Sequence, residues 1–241
     1  MEKSKCSNLY ENKILRDSLG ETLRPGGFKL TERALGFTSL EIGDTVLDIG
    51  SGMGDTVNYL KLKGLNSIGI EPSDILIEDS LRKYPENHIL KGTGEQLPTS
   101  DNCAKAVFAE CTISLMDDLD KTLKECARVL KSNGYLIITD VYSRKPENLW
   151  QLDNIKLKSC LRSMINLESL MKQLDENGFS IILNEDHTEC LKQLTVNLIF
   201  KYGSMGIFWN KISCCGENAE ELKNVLANCK PGYFLIICKK N

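Results

Sequence analysis

The stretch Thr45-Val46-Leu47-Asp48-Ile49-Gly50-Ser51-Gly52-Met53-Gly54-Asp55-Thr56 decides how this chain is read. Thr45 to Ile49 is a short apolar run, the pattern of a strand buried in a parallel sheet. Gly50 to Gly54 is a loop, and Thr56 to Lys63 follows with helical spacing. Glycine lets a backbone adopt positive φ and approach a ligand closely. The N-terminus of the following helix offers free N–H groups and the positive end of a dipole. A tight strand-to-helix turn without a ligand would show the same glycines. The next strand, Ser67 to Ile70, ends at Glu71, 17 residues beyond Gly54. A carboxylate there can accept hydrogen bonds from both hydroxyls of a ribose. The combination favours an adenosine cofactor over an empty turn.

The spacing narrows the cofactor. A nicotinamide dinucleotide loop has Gly-x-Gly-x-x-Gly. Here the third glycine comes one residue early, and Asp55 stands in its place. Asp48 precedes the first glycine by two positions. It can anchor the loop and order a cationic amino-acid end of a cofactor, directly or through water. The loop has no Walker lysine, so triphosphate hydrolysis is poorly supported.

The same alternation continues outward. Ser73 can cap a helix running to about Tyr84, with Ile75, Leu76 and Leu81 inward. His88 to Leu90, Ala106 to Ala109 and Tyr135 to Thr139 read as further strands. Leu119, Leu123, Ala127 and Leu130 form the inward stripe of a helix that Asn133-Gly134 ends. Five strands separated by helices imply an α/β, parallel, doubly wound sheet. Upstream, residues 1–33 are polar and contain the turn Arg24-Pro25-Gly26-Gly27, and Thr31 can cap a short helix. Downstream, residues 149–165 look helical, Asn166 can cap a helix that Gly178 ends, and Phe179 to Leu183 is a sixth strand. Tyr233 to Cys238 is the last strand. Two helical patterns, near 188–203 and 217–229, lie between these strands.

Bulk composition bounds the function. The chain has 241 residues, 41% of them hydrophobic and 26% charged, which suits one globular domain. A net charge of −3 argues against nucleic acid, because phosphate neutralisation needs clustered Lys and Arg. The first residues lack the apolar run of a secretory signal, and no window is long and apolar enough for a membrane span. A soluble, cytoplasmic protein with no membrane association is expected. The ten cysteines should then be thiols, and without a CxxC pair a structural zinc site is not expected.

With these motifs in place the sequence resembles the class I S-adenosylmethionine-dependent methyltransferases. The match comprises Val46 to Gly54, Gly69-Ile70-Glu71-Pro72-Ser73, Gly92-Thr93-Gly94-Glu95-Gln96-Leu97-Pro98, Glu110-Cys111 and Ala127 to Gly134. The resemblance covers about residues 40–145. It implies a Rossmann-like, seven-stranded sheet with the last strand antiparallel, S-adenosyl-L-methionine as methyl donor and S-adenosyl-L-homocysteine as product. It further implies that Gly50, Gly52 and Gly54 line the methionine end, with Asp48 beside them. Glu71 would bind the ribose, Pro72 would flank the adenine, and Thr93 and Gly94 would meet its edge. The family usually has Asp at the Thr93 position, so the adenine amino contact passes to a backbone group or to Glu95. Glu110 and Cys111 would end the fourth strand beside the methyl group.

Leu23 to Gly27 and Ile207-Phe208-Trp209 look like a bacterial or archaeal, type 11-like subgroup of these methyltransferases. Arg24 either pairs with the cofactor carboxylate or is a surface turn residue. Glu110 to Leu115 and Asp140-Val141-Tyr142 are also similar to arsenite methyltransferases, which hold the metalloid with thiolates. Cys111 matches one thiolate position, or is a small residue filling the strand end. The vicinal pair Cys214-Cys215 is the other candidate for a soft metal, and no resident metal is expected.

The reading is thus one domain over 1–241. It has an N-terminal cap (1–33), a cofactor-binding core (34–145), and substrate-side helices with the final strands (146–241), including an insertion at about 187–229. The insertion, the 149–165 segment and the cap are expected to cover the active site. His187, Phe208, Trp209, Cys214 and Cys215 are the substrate-facing candidates, against plain roles in a turn or in packing. The expected reaction is methyl transfer to a small-molecule acceptor by in-line displacement. An amine or hydroxyl acceptor needs a base, for which Glu110, Tyr142 and His187 are candidates. The alternatives are a cofactor-binding regulatory protein without turnover and a thiol-dependent metalloid methyltransferase.

Overall fold

The computed structural model describes residues 9–19, 22, 24–155, 159–212 and 219–241. Its centre is a seven-stranded sheet. The strands are β1 (Thr45–Ile49), β2 (Asn66–Glu71), β3 (His88–Lys91), β4 (Ala104–Glu110), β5 (Leu130–Ser143), β6 (Phe179–Asp186) and β7 (Pro231–Lys240). Their order is β3-β2-β1-β4-β5-β7-β6. The first five pair in parallel, while β7 runs antiparallel to both β5 and β6. This is the Rossmann-like sheet expected from the sequence, including its antiparallel last strand. Strand order reverses between β1 and β4, and a crevice opens there beyond the carboxyl ends of the strands.

Helices cover both faces. They are α1 (Lys13–Leu19), α2 (Phe28–Leu35), α3 (Asp55–Leu62), α4 (Asp74–Lys83), α5 (Leu119–Val129), α6 (Leu167–Glu176), α7 (Thr188–Tyr202), α8 (Met205–Ile212) and α9 (Ala219–Cys229). One face packs Leu123 and Cys126 of α5 and Leu170 and Leu174 of α6 against Val107, Leu136, Ile138 and Ile236. The opposite face packs Ala34 of α2 and Leu60 of α3 against Val46, Phe108, Ile137 and Leu235. A third cluster joins Leu9, Leu15, Leu198, Phe208, Trp209, Ile212 and Leu222 to Val141 and Tyr233. Burying each large side chain of that cluster contributes roughly 1.5–3 kcal/mol.

Several local expectations change. Ser73 and Asn166 do cap α4 and α6, their side chains accepting backbone N–H bonds. Thr31 is not a cap: α2 begins at Phe28, and Thr31 is a buried residue inside it. Ile75 and Leu81 face outward, 49% and 40% exposed, because α4 lies at the sheet margin and only its Leu76 stripe reaches the core. Helix α5 ends at Val129, and Leu130 at once pairs with Ala104. Asn133, at φ 58°, instead belongs to the irregularity before Tyr135 pairs with Ala106. The 149–165 segment is not an α-helix: a 3-10 helix spans Pro146–Asn154, and turns follow among the described residues. Among its described residues the insertion carries three helices, since Gly203 at φ 86° breaks the first pattern and α8 starts anew. No helix among the described residues is long and apolar enough to cross a membrane.

Candidate active site

A cavity of about 530 Å³ lies over the carboxyl ends of β1, β2 and β4, within the usual size of a small-molecule site. The glycine loop forms its floor. Gly50 N donates to Ile70 O at 2.8 Å, which ties the loop to β2. Gly50 sits at φ 69°, and a Cβ there would lie 2.0 Å from Thr112 Oγ1, so only glycine fits between the loop and the β4 end. Gly52 also lines the cavity. Gly54 does not: it packs under α4, where a Cβ would lie 2.2 Å from Ser80 Oγ and 2.5 Å from Asn87 Nδ2. Its place in the motif is therefore a close helix contact.

Two acids flank the loop. The Glu71 carboxylate accepts Gly52 N–H at 2.9 Å and Ser73 N–H at 3.0 Å. Burial raises its pKa and these two bonds oppose the rise. Glu71 lines the cavity at the end of β2. Asp48 is 4% exposed. Burial, and next the charge of Glu110, hold its carboxyl well above the usual carboxylate range, while Arg24 works against them. The Asp48 carboxyl has no hydrogen-bond partner among the described residues. Pro72, Thr93, Gly94 and Glu95 line the same end. Glu95 accepts Asp117 N–H at 2.9 Å and Asp118 N–H at 3.4 Å, and its pKa is lowered despite burial. Much of its acceptor capacity is thereby used.

Glu110 lies at the centre of a buried network. Thr31 Oγ1 donates to Oε1 at 2.8 Å, Thr56 Oγ1 donates to Oε2 at 3.0 Å, and Arg24 Nη2 pairs with Oε2 at 2.8 Å. The Glu110 carboxylate is thus occupied by a guanidinium and two hydroxyls, which makes it the hub of this network. Arg24 is not a surface turn residue: it is 9% exposed, lines the cavity, and its Nε has no partner.

Cys111 follows at φ 60°, with its N–H donated to Thr139 O at 2.6 Å. Its thiol meets that of Cys160, and this contact together with burial pushes its pKa well up. Cys160 N–H donates to Tyr10 OH at 3.3 Å, which closes this side of the cavity. Behind it, Asp140 accepts Ser114 N–H at 2.9 Å, Ser114 Oγ–H at 2.8 Å and Val141 N–H at 2.7 Å. Burial nonetheless raises the Asp140 pKa to about 6. This bracing fixes the Ile113–Leu115 turn, whose Ser114 lines the cavity.

The other candidates are elsewhere. Tyr142 OH donates to Asp186 Oδ2 at 2.5 Å, and the ring packs edge-on against Phe234. His187 Nε2 lies 3.0 Å from Glu185 Oε2. Neither residue lines the cavity. Phe208 and Trp209 are 1% and 8% exposed, in the third apolar cluster. Cys214 and Cys215 lie outside the described residues. No described residue of 187–229 lines the cavity; the insertion instead supports α1 and the 146–165 segment from behind. Sequence reading missed Tyr10, Thr22, Thr112, Ser159, Arg162 and Ser163, all of which line the cavity. They sit in irregular segments without periodicity, so nothing local singles them out. Among the described residues, no group of three or more His, Cys, Asp or Glu could hold a metal ion.

Comparison with known proteins agrees with this geometry. Residues 47–138 match the family model described as a methyltransferase domain. The arsenite methyltransferase of Halobacterium salinarum is 27% identical over 155 residues, 61% of this chain and 40% of that protein. The sterol 24-C-methyltransferase of Aspergillus fumigatus is 30% identical over 159 residues, 60% of this chain and 42% of that protein. The matches thus span less than half the length of these relatives. Haemonchus contortus phosphoethanolamine N-methyltransferase 2, solved in complex with S-adenosyl-L-methionine, shares the fold with a TM-score of 0.68 and 19% identity, over 92% of this chain and 54% of that one. Residues 47–138 thus resemble a methyltransferase domain, and the chain shares the fold of solved methyltransferases.

Proposed function

We propose that this protein binds S-adenosyl-L-methionine in the cavity and transfers its methyl group to a small-molecule acceptor, leaving S-adenosyl-L-homocysteine. The observation that carries this reading is Asp48, a buried carboxyl with no internal hydrogen bond beside a glycine loop and Glu71. A buried polar group without a partner is costly, and a cationic ligand would relieve that cost and favour the ionised acid. The residues fit the cofactor: Gly50 and Gly52 admit its methionine end, Asp48 meets its ammonium, Glu71 accepts from the ribose hydroxyls, and Pro72 and Thr93–Glu95 border the adenine. When bound, the cofactor supplies an electrophilic methyl on a sulfonium.

The chain's own part is alignment and exclusion of water. Glu110 holds Arg24, Thr31 and Thr56 together beneath the methyl position. Cys111 and Tyr10 wall the site. The 34–145 core serves the cofactor, and the acceptor enters between the N-terminal segment and residues 159–163. The thiol-dependent reading is less well supported, because among the described residues Cys111 meets one other thiol, that of Cys160, and no group of three or more His, Cys, Asp or Glu gathers there.

Calorimetric titration tests the reading. Micromolar binding of S-adenosylmethionine is expected. Glu71→Ala should weaken it by about 3 kcal/mol, near 100-fold, because two hydrogen bonds to a charged group are lost. No heat from the wild type at millimolar ligand would overturn the proposal. Binding without methylated product from any small-molecule pool would favour a regulatory protein instead.

A further inference from the structure

Among the polar cavity residues that the cofactor reading does not use, two stand together in one turn. Arg162 lines the cavity, is half-buried, and its guanidinium has no partner among the described residues. Ser159 lines the cavity, is 4% exposed, and its Oγ has no hydrogen-bond partner. They belong to one turn, closed by Arg162 N–H donating to Ser159 O at 3.0 Å.

That turn is anchored to β5. Ile165 N–H donates to Val141 O at 3.1 Å, Ser143 N–H donates to Ile165 O at 3.0 Å, and Met164 and Ile165 are buried. The glycine loop follows β1 and Glu71 ends β2, whereas β5 lies beyond β4. Two strand spacings, about 10 Å, therefore separate the loop's strand from the strand holding Arg162. Arg162 stands past the β4 end, on the side away from the ribose acid.

The charges sort accordingly. Arg24 is neutralised by Glu110, and Asp55 by Lys83 at 2.6 Å. Arg162 is left as a cation without a counter-charge among the described residues, in a turn that also carries an orphan hydroxyl. A planar guanidinium with an adjacent O–H donor matches an oxyanion. We propose that the methyl acceptor carries an anionic oxyacid group, a carboxylate or a phosphate ester, held by Arg162 and Ser159 on the β5 side of the cavity. This rests on the methyltransferase reading above.

The test uses full-length protein labelled with 15N-arginine and loaded with S-adenosylhomocysteine. Acetate and inorganic phosphate are titrated while the arginine Nε–H resonances are followed. The Arg162 resonance, identified by its loss in Arg162→Gln, should shift saturably with acetate, with phosphate, or with both. The preferred anion separates a carboxylate from a phosphate acceptor. Acetamide, and chloride at matched ionic strength, should leave it unmoved. Arg162→Gln should lower anion affinity at least about tenfold, Ser159→Ala severalfold, and both should bind S-adenosylhomocysteine within about twofold of wild type. An unsaturable response, or an equal one to chloride, would overturn the proposal. So would a large loss of S-adenosylhomocysteine affinity in Arg162→Gln, which would place this arginine on the cofactor. Failure of the wild type to load S-adenosylhomocysteine would instead strike the underlying reading. If Arg162→Gln fails to fold, Arg162→Lys supplies the same assignment by loss of the resonance, and the wild-type titration then decides.

Discussion

Replacing Arg24 by Met would leave the Glu110 carboxylate buried without its counter-charge. The pair is close, at 2.8 Å, and its side chains are only 8% and 2% exposed. At that separation their attraction is about 6 kcal/mol with an effective dielectric near 20, most of it offset by the cost of taking both charges out of water. Removing one partner of such a pair typically costs about 3–5 kcal/mol. Thr31 and Thr56 still donate to Glu110, so the lower end applies, about 3 kcal/mol. For a chain of this size that is a fall in Tm of roughly 6–12 °C. The assay is thermal and urea unfolding of the wild type, Arg24→Met, Glu110→Gln and the double variant. The double variant should recover about 2 kcal/mol relative to the sum of the singles, because the residual buried charge is gone. A loss below about 1 kcal/mol in Arg24→Met, with no coupling in the cycle, would refute the buried pair as the element joining the N-terminal segment to β4.

Gly54→Ala should destabilise the fold by about 2 kcal/mol or more, since φ 72° disfavours a Cβ and that atom would collide with Ser80 and Asn87; urea midpoints measure it, and an unchanged midpoint would contradict the packing. Asp140 titrates at about 6 when folded, above its ordinary 3.8. A raised acid contributes stability that is present below its unfolded pKa and lost as pH rises through the folded one. Between pH values of about 4 and 7 the wild type should therefore lose about 2 kcal/mol relative to Asp140→Asn, and a difference that stays flat with pH would exclude the shift. Phe208→Ala should cost about 3–5 kcal/mol of stability by cavity formation, yet change S-adenosylmethionine affinity in the folded protein by less than about threefold; a selective loss of affinity would return the insertion to the cavity wall.

The parallel half of the sheet was legible mainly from β1 and β4, short and largely apolar runs set off by turns. Thr45 to Ile49 and Ala104 to Glu110 are buried on both faces, so their composition reports their place. Glu71 was legible from spacing alone, since a strand of fixed length puts it beside the loop. What failed depended on contacts distant in sequence. Thr31 has the chemistry of a cap but is claimed by Glu110, 79 positions away. The insertion has helical periodicity, but periodicity does not say whether its apolar face meets a ligand or the third core cluster. Arg162 and Ser159 lie in a turn with no pattern, and only the fold over β5 brings them to the cavity.

The central claim is that the glycine loop, Asp48 and Glu71 form one cofactor site. A crystal structure grown with S-adenosylhomocysteine tests it most directly. The account predicts the ribose hydroxyls on Glu71, the amino group at Asp48, the adenine between Pro72 and Thr93–Glu95, and the sulfur toward the Glu110–Cys111 end. Density for the ligand elsewhere, or in this cavity with its ribose away from Glu71, would contradict it.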